Sequence, residues 1–404
     1  MDFSLTEEQA QLQATARSFA YDELAPASIE ADAQTDPERC FSPELLKRAS
    51  QLGLRTLKIP REYGGYGADC VTEVLVLEEL CAGDVGFGMS VQHAWREGYC
   101  LARLTSDEQR ERYLPDFLDD PTYLTSLGMT EEHFGSDSSG SSEDPKDGPR
   151  TRAVLSADGS HWVLNGSKRW ITNANISRIA IILARTDDTV AWRQGVSMFL
   201  VPTDTPGYRV GRIEDKLGVR MNPNAEIILD DCRIPADNLL GERNQGIEMR
   251  ERIGAGSKVK EATKALGVAR AAHEEAVAYA RERVQGGRPI IGHQSVAAAL
   301  VDMEMAIEGV RSMIWRTAWC VDHQTPQASR MEAMAKECAS QVAVQVATSA
   351  LELHGAYGVQ RGRRIEKLMR DAATMLHTGG GGHAVKAILG AATARQQPVA
   401  VFAL

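Results

Sequence analysis

Hydrophobic residues in this chain change their spacing twice, and no other feature constrains the fold as much. Up to about residue 120 they recur every three to four positions. Between about 121 and 238 they alternate or run in short bursts, and beyond 244 the helical spacing returns. Alternation puts successive side chains on opposite faces of a strand, whereas a spacing near 3.6 lays them along one face of a helix. The pattern predicts a mostly α protein with a central β-domain: a helical domain over 1–120, a β-domain over 121–238 and a helical bundle over 239–404.

Local signals fill in the elements. In "SLTEEQAQLQATARSFAYDEL" Ser4 and Glu7 have the spacing of a capping box ahead of an apolar stripe. "SPELLKRASQLG" opens with a cap and a proline and stops at Gly53, and "CVTEVLVLEELCAG" reads as another helix with one apolar face. In "TRAVLSADGSHWVLNGSKRWITNA" both "ADGS" and "NGS" read as hairpin turns. "RIAIILART", "VSMFLVP" and "AEIILDDCRI" read as short buried strands, and "SDSSGSSEDPKDGPR" as a polar, mobile surface loop. The last zone offers helices over 245–284, 294–322, 327–356, 364–377 and 383–394. Their short connections suit antiparallel packing.

Composition excludes several function classes. A net charge of −10 argues against nucleic acid or an anionic membrane surface as partner. Seven cysteines without a CxxC pair fit reduced thiols in a cytoplasmic protein and not a disulfide or zinc framework. The N-terminus lacks the basic and apolar regions of a secretion signal, and no run of about 18 apolar residues predicts a membrane span.

Four stretches, in order across the three zones, carry a family resemblance: "GMTEEHFGSD", "NGSKRWITNA", "ARERVQGGRPIIGHQ", and "ELHGAYG" with "EKLMRDA". On them the chain resembles the acyl-CoA dehydrogenases, flavoproteins with an N-terminal helical domain, a middle β-domain and a C-terminal four-helix bundle, usually tetrameric. The resemblance implies FAD as cofactor. Met129 and Thr130 would contact the flavin pyrimidine, Trp170 and Ile171 would cover a face of the isoalloxazine, and Thr172 would hydrogen-bond near N5. Ser136 would lie between the flavin phosphate and the pantetheine arm of the substrate. Arg283 would reach across a dimer interface to the pyrophosphate, with Gln294 and Gly355 toward the adenosine end and Thr378 and Gly381 beside the flavin. An aromatic cover and hydroxyl donors suit a flavin, whose electronics the protein has to tune. A guanidinium suits a diphosphate because its planar fork meets two oxygens at once. The chain departs from the family in "QGG", where Gly286-Gly287 replaces Phe-Gly, and at Glu352, where a carboxylate replaces glutamine.

The sharpest departure is "MLHTGGGGHAV". Many family members carry there the glutamate that removes the substrate α-proton while the β-hydride passes to the flavin. Counted from Arg370-Asp371-Ala372, that position is Gly379, and the neighbouring flavin contacts become Gly381 and His383. Another branch carries its glutamate on the first helix of the bundle, where this chain has Ser257 and Lys258. Both usual base positions are empty. The backbone N–H of Gly379 remains to polarise the thioester carbonyl.

Three readings follow. The first is FAD-dependent α,β-dehydrogenation of an acyl-CoA or acyl-carrier thioester, with electron-transfer flavoprotein or another acceptor. Its base would move to His93 or Glu97, which share a helix face in "SVQHAWREGYC", with Arg96 binding a substrate tail. The second is a non-oxidising relative that eliminates a β-substituent such as sulfinate held by Arg96. The third is a base-less structural subunit of a hetero-oligomer.

Overall fold

The computed structural model describes residues 4–136 and 142–394. Of the Ser-rich segment, residues 137–141 lie outside the described residues. Six α-helices come first: α1 (Glu7–Phe19), α2 (Ala25–Asp32), α3 (Pro43–Gln51), α4 (Cys70–Gly83), α5 (Val85–Arg103) and α6 (Asp107–Asp119). An eight-stranded sheet follows: β1 (Leu124–Gly128), β2 (Arg152–Leu155), β3 (His161–Thr172), β4 (Ser177–Arg185), β5 (Val196–Pro202), β6 (Tyr208–Ile213), β7 (Asn224–Pro235) and β8 (Leu239–Leu240). The chain then returns to helices, α7 (Gly246–Ile253) and α8 (Ser257–Glu282). A small hairpin, β9 (Val284–Gln285) and β10 (Arg288–Pro289), separates these from α9 (Gln294–Asp322), α10 (Ala328–His354), α11 (Arg364–Met375) and α12 (Gly382–Ala394). The mostly α architecture with a central β-domain is the one the spacing predicts.

Several local expectations need correction. The capping box of α1 is built by Thr6 and Gln9, not Ser4 and Glu7: Thr6 Oγ1 accepts from the Gln9 N–H, and the Gln9 side chain accepts from the Thr6 N–H. "NGS" is no turn. Asn165, Gly166 and Ser167 lie inside β3, where the pairing with β7 slips by a residue and Gly166 takes φ +143°. Asn165 closes that irregularity through a two-way hydrogen bond with Asp231. Only a residue without Cβ fits there, because a Cβ would lie 2.6 Å from the Thr151 Cα. The expected helix over 245–284 is two helices, broken where Gly256 takes φ +71°. Leu239 and Leu240 pair with Phe199 and Met198, so the sheet runs two residues past 238.

Helix α4 is buried on all sides and not on a single face. Its apolar residues pack between the first helices and the bundle, and its carboxylates meet buried cations from that bundle. Glu73 sits between Lys58 and Lys260, at 2.8 and 2.9 Å. Glu79 takes a forked pair of hydrogen bonds from Arg270 at 3.0 and 2.6 Å, and Glu78 pairs with Arg311 at 2.7 Å. At the α4–α5 junction Asp84 caps α5 through the Phe87 N–H and pairs with Lys367 of α11 at 2.8 Å. The N-terminal helices, α5 among them, share one core with the bundle and with one face of the sheet. Among the described residues no helix is long and apolar enough to cross a membrane, and no cluster could hold a metal ion.

Candidate active site

The end of β3 is shaped to present a ring. Its pairing with β7 slips again between Lys168 and Ile171, and Trp170 takes φ +56°, a strained value for a large L-residue. Trp170 is thereby turned out of the sheet and stays 51% exposed, while Ile171 is buried beneath it. Two asparagines brace this end. The Asn224 amide donates to Trp170 O at 3.0 Å and to Thr172 Oγ1 at 3.2 Å. Asn222 accepts from Thr172 Oγ1 at 3.4 Å and donates to Ser90 Oγ on α5 at 2.9 Å.

Met129 and Thr130 are brought alongside by a buried carboxylate. Glu131 accepts from Lys168 Nζ at 2.7 Å, from Thr151 Oγ1 at 2.7 Å and from the Arg150 N–H at 2.6 Å. Burial pulls the Glu131 carboxyl up, but the Lys168 ammonium and these donors hold it below its ordinary value. The Arg169 N–H then donates to Thr130 O at 2.9 Å, which ties the Met129–Thr130 segment to the Trp170 strand. Ser136 lies exposed at the end of that segment.

His93 is one helical turn beyond Ser90 on α5, so the flavin-type strand end abuts the helix face that carries it. His93, Arg96 and Glu97 form one connected group. Arg96 donates to Glu97 Oε1 through Nε at 3.0 Å and meets His93 Nδ1 at 3.1 Å, while Thr125 Oγ1 donates to Glu97 Oε2 at 3.0 Å. Burial pushes the Glu97 carboxyl up against the pull of Arg96. Burial, with the Arg96 and Lys264 cations nearby, holds His93 well below its ordinary 6.5.

A residue that sequence reasoning passed over faces the glycine turn. Gly379 and Gly380 take φ +62° and +89° between α11 and α12. A Cβ built on Gly379 would lie 2.6 Å from Glu261 Cγ and 3.3 Å from its carboxyl carbon. Glu261 of α8 therefore occupies the space that a side chain at 379 would enter. Its Oε1 accepts from the fully buried Lys264 at 2.6 Å, and its Oε2 is buried with no hydrogen-bond partner among the described residues. The available signal was helical spacing: Glu261 is one turn after Ser257, on the same face of α8.

The remaining expected residues form a second cluster. Arg283 caps the far end of α8, its guanidinium over the Tyr357 ring at 5.4 Å, with Arg363 over the same ring at 5.7 Å. Gly355 precedes Tyr357, and Gln294 opens α9, exposed. Gly286 and Gly287, both at positive φ, make the tight turn of the β9–β10 hairpin beside them. Twenty-two residues of helix separate Glu261 from Arg283, about 33 Å at 1.5 Å per residue. The structure thus joins Met129, Thr130, Trp170, Ile171, Thr172 and the His93 group around one region. It leaves Arg283, Gln294 and Gly355 apart.

Three domain models match the chain along nearly its whole length: the acyl-CoA dehydrogenase N-terminal domain over residues 6–120, the middle domain over 126–232 and the C-terminal domain over 249–393. The chain belongs to the acyl-CoA dehydrogenase family. Among its relatives, a probable acyl-CoA dehydrogenase of Bacillus subtilis, YngJ, is 36% identical over 93% of this chain and 95% of its own length. The solved butyryl-CoA dehydrogenase of Megasphaera elsdenii superposes with a TM-score of 0.89 at 31% identity, covering 98% of this chain and all of the other. A Mycobacterium smegmatis glutaryl-CoA dehydrogenase solved with FADH2 gives a TM-score of 0.84 at 27% identity, over 98% and 96% of the two chains.

Proposed function

We propose that this protein is an FAD-dependent dehydrogenase of an acyl thioester, in which Glu261 is the base. The observation that carries the reading is the fit of the Glu261 side chain against Gly379. The carboxylate reaches, from α8, the space that the family's usual glutamate enters from the α11–α12 connection. Oε2, buried and without a partner among the described residues, is the oxygen free to take the α-proton. Membership in the family and the exposed, strained Trp170 beside Thr172 support FAD.

When bound, the flavin supplies the acceptor for the β-hydride. The protein's part is to hold the thioester and move one proton. Trp170 and Thr172 orient the ring at the end of β3. The Gly379 N–H remains available to the thioester carbonyl, where it would polarise the α-carbon as Glu261 removes its proton. Gly380 and Gly381, next along the turn, have open space where a Cβ would stand. Glu97 and His93 are less suited to this role, since Glu97 already accepts from Arg96 and Thr125. The elimination reading needs a free Arg96, and its guanidinium is engaged by Glu97 and His93. A structural subunit would not need a carboxylate placed opposite Gly379.

The 33 Å between Glu261 and Arg283 supports a homodimer or tetramer, in which Arg283 of one copy serves the flavin of the next. The acceptor is electron-transfer flavoprotein or a comparable carrier, and the compartment is the cytoplasm. The test is anaerobic addition of acyl-CoA to the purified flavoprotein. The wild type bleaches the oxidised flavin absorbance. Glu261→Gln retains its flavin but bleaches about 10²–10⁴-fold more slowly. An unchanged bleaching rate in this variant overturns Glu261 as base, and no bleaching of the wild type by any acyl thioester overturns the reaction.

A further inference from the structure

We infer that Lys264 is a positioning residue for this base: its ammonium tethers Glu261 Oε1, so that Oε2 alone faces the substrate. The inference rests on Glu261 acting as proposed above. Lys264 lies three residues on from Glu261, the spacing at which two side chains on a helix meet. Its side chain is fully buried, and the Glu261 carboxylate 2.6 Å away is its hydrogen-bond partner among the described residues. An ammonium has three donors, and a buried one is costly unless it is paired. Lys264 is therefore held against the carboxylate as firmly as the carboxylate is held by it.

The asymmetry between the two oxygens is the point. Oε1 is fixed by a charge-assisted hydrogen bond, and Oε2 is buried without a partner among the described residues. A carboxylate bound at one oxygen cannot swing freely, so the other keeps a single direction.

Other groups face the pair from neighbouring helices without taking over this role. From α5 come His93, Arg96 and Glu97, and Arg96 is committed to Glu97. From α4 come Cys81 and Asp84, and Asp84 is paired with Lys367. From α10, Lys336 also faces Glu261, but its ammonium donates to Leu376 O at 3.3 Å, just before the glycine turn. Lys264 is the cation in direct contact with the base.

The test compares holoenzyme variants Lys264→Gln, Lys264→Arg and Glu261→Gln. Two readouts are used: kcat and KM with butyryl-CoA at a single pH, and the rate of exchange of the α-proton in deuterium oxide. The exchange probe is the butyryl-CoA analogue with sulfur in place of the β-carbon, which has no β-hydride to give. Lys264→Gln is expected to lower kcat and to slow the exchange about tenfold or more, as a misplaced catalytic group does, while KM stays within about twofold. Lys264→Arg, which keeps the charge and a donor to Oε1, is expected to recover part of both losses. Flavin content and melting temperature identify a variant that has merely failed to fold, and Lys264→Arg then carries the test through its slowed exchange at unchanged flavin content. Turnover and exchange rates of Lys264→Gln equal to those of the wild type while Glu261→Gln is inert overturn the inference and leave the base in place. Wild-type exchange in Glu261→Gln overturns the base reading itself.

Discussion

Gly379 and Glu261 illustrate how two residues far apart in sequence share one space. The glycine lacks the side chain that would collide with Glu261, and it takes a left-handed φ that L-residues adopt at a cost. Gly379→Ala is therefore expected to displace the Glu261 carboxylate and slow anaerobic flavin reduction at least tenfold, with flavin content little changed. Reduction at the wild-type rate would show that the contact is dispensable. Sequence reading counted the family's usual glutamate position to Gly379 and passed over Glu261. A vacancy follows from counting along a motif, whereas Glu261 is identified only when α8 and the α11–α12 turn are seen side by side. The i,i+4 relation of Ser257 and Glu261 was present in the sequence, but a glutamate on a helix is usually a solvated one.

At the scale of elements, the buried charges of α4 make the clearest prediction. Glu73 is fully buried between Lys58 and Lys260, and burial pulls its carboxyl up while the two ammonium groups more than offset that and hold it below its ordinary 4.5. A carboxyl with a depressed folded value contributes stability that is present above the unfolded value and lost as pH falls through the folded one. The wild type should thus lose stability progressively on acidification below about pH 4.5, read as a falling melting temperature. Glu73→Gln leaves two buried cations without their partner and is expected to cost about 3–5 kcal/mol at neutral pH. It should also flatten that acid loss, and an unchanged melting temperature would contradict the account. The spacing of α4 announced a helix but not burial all round, because Glu73, Glu78 and Glu79 look like a solvated face until their cations arrive from elsewhere in the chain. "NGS" misled for a related reason: Asn-Gly favours a left-handed backbone, which serves a bulge in mid-strand as well as a turn.

At the scale of the whole molecule, the order of helix, sheet and bundle was legible because each zone has its own spacing, and many residues contribute to it. The motif singled out Trp170 and Thr172, but not the strained backbone that turns Trp170 outward. Glu261 and Arg283 stand at opposite ends of α8, about 33 Å apart at 1.5 Å per residue. If the second cluster serves a neighbouring copy, Arg283→Gln should lower the flavin content of the purified oligomer severalfold. Its turnover per bound flavin should stay near the wild type, since Arg283 lies far from Glu261. Full flavin content in this variant would contradict that arrangement.

The central claim is that one carboxylate serves this site from α8 because the turn opposite has none. Moving it back tests that claim most directly, by measuring the rate of anaerobic flavin reduction by acyl-CoA in Glu261→Gly and in the double variant Glu261→Gly/Gly379→Glu. The account predicts that the single variant loses about 10²–10⁴-fold and that the double variant recovers a substantial part of it, since the glutamate then enters the same space from the other side. Wild-type reduction by Glu261→Gly alone would contradict it.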